Sequence, residues 1–520
     1  MVNFESAYRP TQHPTNYAPP LTTLFCNLKN IFMKKIVAAL LAVALLFCST
    51  SNGYAQKNKN KGVMFTTSSN EALSYFSDGL IYYDLGQNTK ARELLQKAIK
   101  QDPSFAIAYI HLATLASTPG EFVSYMDKAK EHISGANEWE KLLYDYTEGY
   151  MTDNSDSRLA VAQKMTTTFP HSARACFYLG QAYSDRYDFA NARKCFQKAI
   201  KLEPEWPTGY LALTSSYIFQ DPKDFKEAEK TANKLVTRQP SNAAYISLGD
   251  VYRAQNNLKK AEQMYSKAID EDPNLPEAYY RRGHALTFLG QYDQARPVYE
   301  KAAALDVNPT GGRQFIAFTY LYQDDPTGAL KSLENDLQNI TPTLEATQRD
   351  QFKLELLTNE AMIALHTKDA TKLQEIVTEL RPLTENQGLQ IGTEEAKLEG
   401  KAAILFWEGA IDLLNNDIEG VKQKAGELKT TMEPVKNPQK FGGYYLLMGR
   451  AALLQKDYKT AVTNLEQTDK MDIYHQYWLA EAYEANGRND KATAIYKQIA
   501  NFNFNGIAYA LVRNEIKKKI

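Results

Sequence analysis

The chain has 520 residues with 60 basic and 61 acidic side chains, a formal net charge of −1, and 33 tyrosines within an aromatic content of 11%. That length exceeds one compact core and leaves either several domains or a repeat array. The near-neutral balance lacks the basic excess that nucleic-acid binding needs, and no long polar tract marks extensive disorder.

Residues 1–32 mix Pro, Asn, Thr and Tyr without periodicity. Met33-Lys34-Lys35 then opens a basic segment, Ile36 to Phe47 is an unbroken apolar run, and a polar stretch leads to Ala55. This is the layout of a secretory signal peptide, with Gly53 and Ala55 as the small residues before cleavage at Gln56. The run is about 12 residues, too short for a bilayer, which takes ~20 helical residues. Met33 therefore reads as the initiator, 1–32 as a non-native upstream extension, and 33–55 as a cleaved signal. The expectation is export to the periplasm or outer membrane of a Gram-negative bacterium, with no transmembrane segment in the mature chain. The rival is a lipoprotein signal acylated at Cys48, opposed by Phe47, where a small residue is required. Residues 56–70 are rich in Lys, Asn and Ser and read as a flexible leader.

From Glu71 one pattern recurs. Tyr75, Gly79 and Tyr82 share one face of a first helix, Ala91, Leu95 and Ala98 one face of a second, and Pro103 closes the unit. The spacing by threes and fours is that of a helical stripe. A second unit runs from Tyr109, with Pro119-Gly120 at its turn. The third, 137–170, is weaker and keeps Trp139, Leu142, Tyr146 and Tyr150. The fourth carries Leu179, Gly180, Tyr183, Ala192 and Phe196, and the fifth Tyr210, Leu213, Tyr217 and Ala228. The sixth is the best formed, with Tyr245, Leu248, Gly249, Tyr252, Ala261, Tyr265, Ala268 and Pro273. The seventh has Tyr279, Gly283 and Tyr299, and the eighth Ala317, Tyr320 and Ala329. Together these make an N-terminal array over 71–343.

Over 344–440 the period stretches into divergent, longer hairpins. Their helices are expected near Thr347–His366, Ala370–Leu380, Thr393–Leu414 and Ile418–Met432, with loops at Pro382–Gly392 and Pro434–Gly443. The regular pattern resumes over 441–504 at Tyr445, Gly449 and Ala461 and again at Leu479, Tyr483 and Ala492. Residues 505–520 carry an apolar stripe followed by three lysines and read as a solvating, capping helix.

Aromatic-x-x-Leu-Gly-x-x-Tyr, then Ala-x-x-x-Tyr-x-x-Ala and a late Pro, resembles the tetratricopeptide repeat, whose period is about 34 residues. The resemblance implies an all-α, right-handed superhelix (solenoid) of helix-turn-helix units, each too small to bury its apolar face alone. It also implies a concave groove lined by the first helix of each pair, holding a protein or peptide partner. The stripe next to the core slots supplies the groove candidates Phe177, Gln181, Leu211, Ser215, Ile246, Asp250, Arg253, Tyr280, His284, Gln314 and Phe318. Asp250 and Arg253, three apart on one helix, can pair with each other or with charge on a ligand. The Lys and Asn that family members use to clamp a C-terminal carboxylate are missing from this stripe. The aromatic, aliphatic and amide mixture suits an extended peptide or an amphipathic helix instead.

Little points to chemistry. The seven histidines are scattered, none in a metal-ligand spacing, and there is no phosphate-cradling glycine loop or nucleophile elbow. No catalytic, metal or cofactor-binding residue is expected. Cys176 and Cys195 lie on opposite helices of the fourth unit, where a disulfide and two packed thiols are both open. The function that follows is a non-enzymatic exported scaffold, with a place in an envelope complex. The alternative is an exported glycan-binding protein using surface aromatics, which the regular spacing of 71–333 opposes.

Overall fold

The computed structural model describes residues 65–150, 155–220, 222–306, 311–435, 439–470 and 472–520. The signal peptide, the upstream extension, Cys48 and most of the leader lie outside the described residues.

The described residues form 25 α-helices and two short 3-10 turns, with no strand among them. Consecutive helices pair as antiparallel hairpins. The first six are α1 (Asn70–Asp84) with α2 (Asn88–Gln101), α3 (Ala106–Thr114) with α4 (Pro119–His132), and α5 (Glu138–Glu148) with α6 (Ser155–Thr168). They continue with α7 (Ala173–Asp185) and α8 (Phe189–Leu202), α9 (Pro207–Phe219) and α10 (Phe225–Arg238), then α11 (Asn242–Ala254) and α12 (Leu258–Glu271). Next come α13 (Pro276–Phe288), α14 (Tyr292–Leu305), α15 (Arg313–Leu321) and α16 (Pro326–Asn339). The longer helices are α17 (Ala346–Thr367), α18 (Ala370–Ile391) and α19 (Glu394–Leu414), and α20 (Ile418–Met432), of ordinary length, pairs with the last of them. Last are α21 (Gly442–Leu454), α22 (Tyr458–Leu465), α23 (Ile473–Ala485), α24 (Asn489–Ala500) and α25 (Ile507–Lys519). The described residues are a tandem array of helical hairpins that divides into two compact units. The N-terminal unit falls within 35–285 and 305–307, the C-terminal unit within 286–304 and 308–520.

Two local devices build the hairpins. The first is the turn. After a first helix one residue takes positive φ, as at Gly86 (68°), Tyr187 (63°), Asn256 (59°), Lys368 (63°) and Lys456 (60°). The next N–H then reaches back five residues, as Asp188 to the Tyr183 carbonyl at 2.9 Å and Asn257 to that of Tyr252 at 2.7 Å. This satisfies carbonyls that the helix end would leave orphaned. An aspartate often follows as the next N-cap: Asp188 accepts from the Asn191 N–H at 3.2 Å and Asp457 from that of Thr460 at 3.1 Å. The second device is close approach. A Cβ at Gly180 would stand 2.4 Å from Phe196 Cε1, and one at Gly249 the same distance from Tyr265 Cε1. The aromatic of the second helix lies flat on the bare backbone of the first.

Two expectations of local structure change. Pro382–Gly392 is helix, the second half of α18, with Pro382 inside it. A mid-helix proline costs about 3 kcal/mol, and tertiary packing outweighs it. A Cβ at Gly388 would lie 3.2 Å from the Ala396 carbonyl and one at Gly400 3.3 Å from that of Thr384, so α18 and α19 touch backbone to backbone. Leu380, Thr384, Gln387 and Ile391 are buried along that seam. The first-helix tyrosines of the recurring pattern also change: Tyr75, Tyr82, Tyr245 and Tyr252 are only half-buried, and Phe76 and Tyr83, one position on from the first two, are buried instead. Residues 507–519 form the terminal helix α25, which buries Tyr509, Val512, Arg513 and Ile516.

The two devices predict opposite signs for two glycine substitutions. Gly249→Ala should lose about 1–3 kcal/mol through overpacking against Tyr265. Gly426→Ala, on the exposed face of α20 with nothing within 4 Å, should gain about 0.5–1 kcal/mol. Urea unfolding of the two variants checks the contrast.

Candidate functional site

In the N-terminal unit, the first helices of five successive hairpins turn side chains toward one cleft. Tyr83 and Asp84 come from α1, His111 and Thr114 from α3, Tyr146 from α5 and Tyr150 from the turn after it, and Arg174, Phe177, Tyr178 and Gln181 from α7. Trp206 and Thr208 come from the start of α9. The cleft narrows to a cavity of about 20 Å³, room for roughly one water molecule.

Its floor is an ion pair. Arg174 holds Asp84 with both terminal nitrogens, Nη1 at 2.8 Å from Oδ1 and Nη2 on Oδ2. The two residues are 90 positions apart. The Arg174 guanidinium also lies 5.0 Å from the Trp206 ring centroid. Thr208 Oγ1 donates to the Asp84 carbonyl at 3.4 Å. These contacts draw α1 to α7 and α9 across the inside of the array. Beside them Leu85 shares a core cluster with Tyr210, Leu211 and Leu235, and Ile81 packs on it.

The walls are aromatic. Phe177 meets Trp206 edge-on at 5.7 Å, and Tyr146 meets Tyr178 at 5.0 Å. Arg158 stacks 3.7 Å above Tyr150 and pairs with Asp185. Polar groups are interleaved. Thr114 Oγ1 is 3.0 Å from the Tyr83 hydroxyl, and burial raises that phenol to about 12. His111 Nδ1 and Trp206 Nε1 are buried without a hydrogen-bond partner. Burial, with Arg174 nearby, lowers the His111 imidazole to about 3, so it is neutral at physiological pH.

Two of the groove candidates, Phe177 and Gln181, line this cleft. The others have distinct surroundings. Leu211 is buried in the cluster around Leu85, while Ser215 is half-exposed. Ile246 is buried with Tyr265 and Leu275. Arg253 is fully buried and gives Nη2 to Asp250 Oδ1 at 3.1 Å, which also accepts from the Tyr265 hydroxyl at 2.7 Å. Arg281 Nε lies 3.8 Å from the same carboxylate. Asp250 and Arg253 thus pair with each other inside the protein. Tyr280 donates to Asp306, and His284 is buried with its imidazole pushed far down by desolvation and by Arg253 and Arg281. In the C-terminal unit Phe318 is buried against Phe315, and Gln314 Oε1 accepts from Asn359 at 3.3 Å. Most of the stripe is therefore packing, because inward-facing side chains meet other helices there rather than solvent. The sequence reading missed Arg174, Asp84, His111 and Trp206. Their contacts cross tens of residues, and no periodicity signals them.

Cys176 and Cys195 are free thiols, and burial pushes Cys195 up to about 11. Among the described residues no His, Cys, Asp and Glu group is placed to hold a metal ion, and no helix is long and apolar enough to cross a membrane.

Two measurements test this arrangement. Asp84→Ala leaves the Arg174 charge uncompensated and should cost about 3 kcal/mol, most of it recovered in Asp84→Ala with Arg174→Met. The His111 pKa of about 3 lies below its unfolded value of 6.5. Its contribution to stability is thus full above pH 6.5 and falls as pH drops toward 3, by up to about 1.4 kcal/mol per unit. In His111→Phe the urea midpoint should fall less steeply between pH 6 and 4 than in the wild type.

Family models described as TPR repeat or tetratricopeptide repeat match residues 79–115, 173–206, 249–287, 276–308 and 476–502. The human protein O-mannosyl-transferase TMTC3 is 26% identical over 180 residues, 32% of this chain and 20% of that protein. The human mitochondrial import receptor subunit TOM70 is 23% identical over 296 residues, 53% of this chain and 46% of that one. Each alignment spans less than half of the relative's length. The crystal structure of yeast Tom70 is 15% identical, covering 82% of this chain and 98% of that one with a TM-score of 0.40.

Proposed function

We propose that this chain, which contains tetratricopeptide repeats, is a non-enzymatic interaction scaffold that binds a peptide segment of a partner protein along the first helices of its N-terminal unit. The observation that carries this reading is the cleft where α1, α3, α5, α7 and α9 converge. Aromatic faces of Phe177, Tyr178 and Trp206 offer stacking area at low entropic cost. The Arg174–Asp84 pair beneath them is already neutralised, so the cleft favours uncharged groups over a free carboxylate. The cavity is too small to enclose a ligand, so side chains of an extended segment would engage its mouth.

The arrangement at 33–55 supports export, and we place the scaffold in the periplasm or at the outer membrane of a Gram-negative cell, within an envelope complex. Two experiments test the reading. A photocrosslinking residue at Gln181 should capture a discrete partner in cells, and the same residue at Lys194 on α8 should not. Equal yields at both positions would remove the cleft from the proposal. Deleting residues 33–55 should shift the protein from the periplasmic to the cytoplasmic fraction, and an unchanged distribution would remove export.

A further inference from the structure

Helix α25 does not belong to a hairpin. The pair α23–α24 closes at Ala500, residues 501–506 run without helix, and α25 then packs against α15, α17 and α23 as well as α24. Three of those partners are first helices, two from consecutive hairpins (α15 and α17) and one, α23, more than 100 residues further along the chain.

The contacts are those of a helix seated in a groove. Tyr509, Arg513 and Ile516 fall at i, i+4 and i+7, the anchor spacing of an amphipathic helix bound along one face. The Arg513 guanidinium lies 5.4 Å from the Tyr322 ring and 5.6 Å from that of Phe288. Asn514 Nδ2 donates to the Tyr322 carbonyl at 3.1 Å and to Asp324 Oδ1 at 2.8 Å, occupying an acceptor at the end of α15. Glu515 accepts from the Tyr477 hydroxyl at 2.5 Å and lies 3.3 Å from His366 Nε2. Lys519 reaches Glu481 and, at 2.7 Å, Glu484, while Lys518 lies 3.6 Å from Asp324. The receiving surface is thus aromatic where it meets Arg513 and acidic where it meets the last turn, through Asp324, Glu481 and Glu484. The helix that fills it carries an aromatic in its first turn, an arginine one turn on, and lysines at its end.

We propose that this surface of the C-terminal unit is a second interaction site, specific for a basic amphipathic helix, and that α25 is its intramolecular occupant. A partner helix with an aromatic residue and an arginine one turn apart, followed by lysines, competes with α25 for the groove. The connection through 501–506 gives α25 an effective concentration of about millimolar. A free helix therefore binds the intact protein weakly, and tightly once α25 is loosened. This proposal is independent of the cleft in the N-terminal unit.

The test uses the full chain and a fluorescent synthetic peptide of residues 506–520. Tyr509→Ala with Arg513→Ala in the protein should lower the apparent Kd for the peptide at least tenfold relative to wild type. A peptide carrying Arg513→Glu, Lys518→Glu and Lys519→Glu should not bind. Equal affinity of wild type and variant would overturn the proposal, as would binding of the charge-reversed peptide. Hydrogen exchange on the unaltered protein decides the matter without any variant. The amides of α25 should exchange at least tenfold faster than those of α23, and faster again with excess peptide. If α25 opens only together with α23, or the peptide leaves its exchange unchanged, α25 is a permanent part of the core and the second site does not exist.

Discussion

A hairpin of two short helices cannot bury its own apolar face, and the rest of this structure answers that constraint. Within each hairpin the helices must come close enough for one layer of side chains to fill the space. Gly180 under Phe196 and Gly249 under Tyr265 set that distance. Between hairpins the remaining faces are covered by stacking. At many of the turns a left-handed residue makes this possible at small cost, because it returns the chain antiparallel while satisfying the carbonyls of the helix it leaves. Non-glycine residues hold that conformation at Tyr187, Asn256 and Lys368, where the backbone hydrogen bond offsets the steric penalty.

The same constraint governs the inner faces. In the N-terminal unit the inner side is drawn together by Arg174 on Asp84 and by Leu85 among Tyr210 and Leu211. What remains open is a narrow aromatic cleft. In the C-terminal unit the inner side receives α25, whose arginine and lysines meet rings and carboxylates. Among the long helices α17 to α19, the packing of α18 along α19 outweighs a proline.

Polar groups inside such an array must be paired, since burial of an isolated charge is prohibitive. Arg253 with Asp250 meets that condition at a helical spacing that the sequence displays. Arg158 meets it with Asp185, 27 residues away on the next hairpin. The Arg174–Asp84 pair meets it across 90 residues, and nothing local announces it.

The sequence alone determined the all-α class, the pairing of helices into hairpins and the small core slots such as Ala91, Gly249 and Ala261, but not the fate of the first-helix tyrosines, since Tyr75, Tyr82, Tyr245 and Tyr252 are only half-buried. The class, the pairing and the small slots follow from interactions within three or four residues or between adjacent helices, which a recurring pattern records. It also marked Phe177 and Gln181 as facing inward. Only the tertiary structure decided what each inward face meets: solvent in a cleft, another hairpin, or α25. That depends on how small rotations between successive hairpins accumulate until distant helices touch, and no single repeat carries that sum.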